Sequence, residues 1–74
     1  MSDWAPCLMV SIHGTWPEAE AAKRRVEALL QTESLPGSVL VDAYDLTRSC
    51  VFVEATTKEE IVKVQKALKL AGFL

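Results

Sequence analysis

Seventy-four residues, half of them apolar, suit one globular domain and leave no room for two. A net charge of −2 argues against nucleic acid or an anionic membrane as the main partner. The two cysteines, Cys7 and Cys50, form no Cys-x-x-Cys, and neither a secretory signal nor a run of membrane-spanning length is visible, so a reducing cytoplasm is the expected setting. A domain this small is marginal alone, and a partner chain, a metal or a disulfide commonly makes up the difference.

In chain order, residues 1–6 read as a flexible leader, with Trp4 available to pack on the body, and residues 7–74 as the domain. Cys7 to His13 alternates with period two, as a half-buried strand does. Strict alternation puts Leu8, Val10 and Ile12 on one face and Cys7, Met9, Ser11 and His13 on the other. Thr15 and Glu18 then form a capping box, and Pro17 sits in a first turn where a missing N–H costs nothing. The helix so started is expected to run to about Thr32, with Ala19, Ala22, Val26, Leu29 and Leu30 as its apolar stripe. Glu20 and Arg24 stand at a favourable i,i+4 spacing, and Lys23-Arg24-Arg25 reads as a solvated face. Trp16, like Trp4, reads as a packing anchor.

Pro36-Gly37 marks a turn, after which Val39–Tyr44 and Cys50–Ala55 are two β-rich runs joined by the short polar Asp45-Leu46-Thr47-Arg48. No Asn-Gly or Asp-Gly fixes the length of that connection. Thr56 with Glu59, or Thr57 with Glu60, caps a second helix whose buried stripe is Ile61, Val64, Ala67, Leu68 and Ala71. Lys66 and Lys69 favour its C-terminus, Gly72 stops it in a left-handed conformation, and Phe73 folds back.

The order βαββα predicts an α+β, ferredoxin-like sandwich. Its three-stranded mixed sheet has strand order 1-3-2, and both helices lie on one face. The other face is left to Met9, Ser11, His13, Leu40, Asp42, Tyr44, Cys50, Phe52 and Glu54. So mixed a surface, together with the free edge of strand one, predicts a homodimer built face to face or edge to edge. Cys7 and Cys50 fall at opposite ends of the sheet, too far apart for a disulfide.

Residues 39–73 carry a resemblance. Tyr44-Asp45, Cys50-Val51-Phe52-Val53-Glu54-Ala55, Thr57-Lys58-Glu59-Glu60-Ile61 and Ala71-Gly72-Phe73 resemble a small bacterial family of uncharacterised ferredoxin-like proteins, some of them described as nickel-binding or nickel-responsive. Phe52 stands where that family often has Tyr, Thr56 where it has Pro, and the hairpin is shorter. The resemblance implies a ferredoxin-like, dimeric domain with metal binding in prospect, and no metal ligand carries over residue by residue.

From the residues themselves, His13, Cys50 and Asp42 are the candidate metal ligands, a donor set suited to nickel or zinc. Met9, Ser11, Tyr44, Phe52 and Glu54 are the candidate ligand or interface face. The catalytic alternative is an enzyme of the dimeric α/β-barrel kind using His13 as general base, with Glu54 or Asp42 orienting it. No nucleophile elbow, phosphate loop or paired-carboxylate motif accompanies it. The basic–Gly–aromatic signature of sheet-stacking RNA binders is absent, leaving only Tyr44 and Phe52 as possible stacking platforms. The leading expectation is a small self-associating binding or regulatory module.

Overall fold

The computed structural model describes residues 6–74. Strand β1 (Cys7–His13), helix α1 (Trp16–Thr32), strands β2 (Ser38–Ala43) and β3 (Ser49–Glu54) and helix α2 (Lys58–Leu70) follow in that order. The sheet order is β1-β3-β2, so the ferredoxin-like arrangement expected from the sequence is the one observed. Both hydrogen-bonded pairs are antiparallel, and the parallel relation is confined to β1 and β2, which flank β3 without touching. Of the expected leader, Pro6 belongs to the body, since its carbonyl accepts the Ala55 amide at 2.9 Å and continues the β1–β3 ladder. The remainder of that segment, Trp4 included, lies outside the described residues.

Each helix begins as its local sequence dictates. Thr15 and Thr57 are the N-caps, and each forms a complete capping box, with Glu18 and Glu60 respectively. Glu60 also takes the Thr56 amide at 2.9 Å, which decides between the two overlapping boxes. The helix ends share one device. Phe73 N–H reaches the Leu68 carbonyl and Gly72 N–H reaches that of Lys69, a Schellman turn with Gly72 at φ +88°. After α1 the same pair of bonds runs from Leu35 to Leu30 and from Ser34 to Gln31, with Ser34 at φ 53° where glycine is usual. Both turns fold an apolar side chain, Phe73 or Leu35, back onto the core.

Val10, Val39, Val51 and Val53 of the sheet form one continuous core with Ala19, Ala22, Val26 and Leu30 of α1 and Val64 and Leu68 of α2. Both helices therefore cover the same sheet face, in a body only 16 Å through its thin axis between Cα positions. Ala71, expected in the α2 stripe, is exposed. Trp16 is 48% exposed and is no packing anchor; its indole N–H donates to Glu20 at 3.0 Å, so Glu20 serves Trp16 rather than Arg24. Gly37, at φ +124°, lets the chain pass against β3, where a Cβ would lie 2.9 Å from Val53 Cγ1.

One irregularity rewrites the faces of β1. Met9 stands opposite Phe52 and Ser11 opposite Val51, so Val10 is the extra residue of a β-bulge. Beyond it the alternation is shifted by one. Ser11 and His13 turn to the helix side, opposite Val51 and Ser49, and Ile12 turns to the open side, opposite Cys50. The expectation that Ile12 lies under the helices and Ser11 and His13 on the open face is corrected accordingly. The expected register of β3 holds: Val51 and Val53 are fully buried and Phe52 and Glu54 point the other way.

Candidate functional site: the uncovered sheet face

Direct cross-strand partners point to the same side of a sheet, so the register lays out the open face in rows. Cys7, Glu54 and Ser38 form one end, Met9, Phe52 and Leu40 the middle, and Ile12, Cys50 and Asp42 the next row. The middle of the patch is apolar. Met9 is 49% exposed and Ile12 and Leu40 are 38% exposed, while Phe52 and Cys50 on the central strand are sheltered by their neighbours. The rim is polar, with Glu54 and Ser38 at one end and Asp42 at the other. An apolar centre with a polar rim is the anatomy of a protein–protein contact.

Tyr44, assigned to strand two by its sequence, instead opens the β2–β3 connection. That connection, Tyr44–Arg48, is built around Asp45. Its Oδ1 accepts the amides of Thr47 at 2.9 Å and Arg48 at 2.8 Å, and its Oδ2 accepts Nε and Nη2 of Arg48 at 2.9 and 2.7 Å. The Arg48 guanidinium in turn lies 4.9 Å from the centre of the Tyr44 ring. Held first by the Arg48 guanidinium and then by the Thr47 amide, the Asp45 carboxyl drops from 3.8 to about 2. The turn needs no Asn-Gly or Asp-Gly, because an Asp two residues before the amide it captures is a turn signal in its own right.

The three proposed metal ligands do not gather. Cys50 and Asp42 are cross-strand neighbours on the open face. The bulge sends His13 to the opposite side, where its Nε2 and the Ser11 hydroxyl share a hydrogen bond of 2.8 Å. Among the described residues no three His, Cys, Asp or Glu side chains lie close enough to hold a metal ion. Cys7 and Cys50 are both free and stand at opposite ends of β3, across from Glu54 and beside Ile12.

The Ser11–His13 pair sits at the end of β1 that leads into α1. Nearby, the Thr15 hydroxyl and amide hold the Glu18 carboxyl below its usual range, with a smaller contribution from His13. Two of the surface depressions are formed by described residues alone. One of about 620 Å³ lies between α1 and β2, and one of about 310 Å³ lies between the Pro36–Ser38 turn and the start of α2. His13 lines neither.

No model of a known family, no curated protein and no solved structure matches this chain. Within the described residues no helix is long and apolar enough to cross a membrane.

Proposed function

We propose that the chain is a small self-associating binding module that uses its uncovered sheet face as a contact surface for further copies of itself. The observation that carries this reading is the apolar row Met9–Phe52–Leu40, extended by Ile12 and bounded by Glu54, Ser38 and Asp42. A divalent metal such as nickel or zinc fits this reading only where copies meet. One chain brings a thiol and a carboxylate together, Cys50 and Asp42, and a second copy would have to complete the ligand set. Native mass spectrometry, before and after nickel addition, tests both parts. Assemblies of the 8.1 kDa chain support self-association, and a nickel adduct confined to those assemblies supports the metal. A monomer at every concentration sinks the reading.

A second reading is catalytic and rests on the 2.8 Å contact between Ser11 and His13. An imidazole hydrogen-bonded to a hydroxyl can draw off its proton and make it a nucleophile. Release of nitrophenol from an activated ester that is lost in both Ser11→Ala and His13→Gln would favour it over the binding module.

A further inference from the structure

We infer that β2, and not β1, is the edge through which two copies join, in an antiparallel pairing centred on Leu40. This rests on the self-association proposed above and adds a second contact to it: the β2 edge joins two copies into a pair, and the open faces of such pairs meet in larger assemblies.

The two free edges differ. The bulge at Val10 interrupts β1 midway, and such irregularities disfavour pairing with another strand. No bulge interrupts β2, whose six residues pair with β3 in unbroken register. The Tyr44 amide donates to the Arg48 carbonyl at 2.9 Å, which fixes the alternation back along the strand. Val39, Val41 and Ala43 therefore direct their N–H and C=O groups away from β3. The Ala43 amide is occupied, since Asp42 Oδ1 accepts it at 2.7 Å. Among the described residues Val39 and Val41 are left as the open bonding positions of the edge.

A two-fold axis at Leu40 uses those positions and no others. Val39 of each copy then exchanges main-chain hydrogen bonds with Val41 of the other, and their side chains fall on the helix side of the joined sheet. On the open side Leu40 meets Leu40 in a closely spaced pair. Ser38 meets the second copy's Asp42, a hydroxyl donor against a carboxylate with one oxygen still free. Shifting the axis to Val41 would set Leu40 against Asp42 and require the Ala43 amide that Asp42 already holds. Shifting it to Asp42 would oppose two carboxylates.

The neighbourhood of β2 has room for the second strand. The depression of about 620 Å³ between α1 and β2 runs beside this edge, with Leu30, Leu35 and Val39 as its apolar lining and Arg24 and Gln31 on its α1 wall. Val41 of the second copy, paired with Val39, enters there. Joining two sheets through β2 makes one six-stranded sheet with twice the continuous open face.

The test is oxidative cross-linking of Leu40→Cys in a chain that also carries Cys7→Ser and Cys50→Ala. Met9→Cys, on the far strand, is the comparison. Ser38→Asp, which sets two carboxylates against each other at both ends of the pairing, is followed by native mass spectrometry. The inference expects a disulfide-linked dimer of Leu40→Cys, little from Met9→Cys, and association weakened roughly tenfold or more by Ser38→Asp, with the circular dichroism of the fold unchanged. If the chain assembles but Met9→Cys cross-links instead, or Ser38→Asp leaves assembly untouched, the edge assignment is overturned and the face reading survives. If the chain is monomeric at its highest soluble concentration, both fall.

Discussion

Ser34 occupies a position made for glycine. It lies at φ 53° at the end of α1, where the turn to Leu35 requires a left-handed residue. A side chain there costs roughly 1 kcal/mol relative to glycine. Ser34→Gly is therefore expected to raise the unfolding free energy by about 0.5–1 kcal/mol, read as a higher urea midpoint at unchanged slope. Asp45 makes a prediction in pH. Its folded pKa, about 2, lies below the unfolded value of 3.8, so its contribution is complete above pH 3.8 and fades as pH falls through about 2. Asp45→Ala should lower the melting temperature at neutral pH, and the difference from the parent chain should shrink steadily across that acid window. A difference that persists undiminished below pH 2 would mean that Asp45 acts through the shape of the loop alone.

At the scale of elements, Thr57 ties α2 to the end of β3. Thr57→Ala removes the acceptor of the Glu60 amide and is expected to cost about 1 kcal/mol, visible as a lower urea midpoint. The caps and, Ala71 apart, the two apolar stripes were readable from residue types at fixed spacing, and the 1-3-2 order from the handedness of the crossover. The Val10 bulge was not. Cys7 to His13 alternates so cleanly that no residue signals an extra one. The bulge shows only in the pairing of β1 with β3, more than thirty residues away. That single nonlocal fit is why Cys50 and Asp42 could be placed from sequence and Ser11, Ile12 and His13 could not. Ser38 was missed because a serine after Pro36-Gly37 reads as loop, and only its partner Glu54 makes it strand.

The described residues form one sheet with both helices on one face and no helix or strand on the other. Met9→Lys with Ile12→Lys charges that face from β1, the strand most distant from the proposed β2 junction, and both side chains are exposed enough to leave the core alone. The expected result is a folded chain whose larger assemblies dissociate, with a shorter sedimentation boundary and unchanged thermal unfolding of the monomer. A chain that assembles as before would remove the face from the interface. The central position of β3 has a consequence for motion. Among the described residues it is the one strand with a neighbour on each side, so its amides meet solvent only when β1 or β2 lifts away. In deuterated buffer Val51 and Val53 should be among the last amides to exchange, and their rate reports the opening that costs most. Val39 and Val41 should exchange early in the isolated chain and slow down as concentration rises, because a second copy is what would close them off.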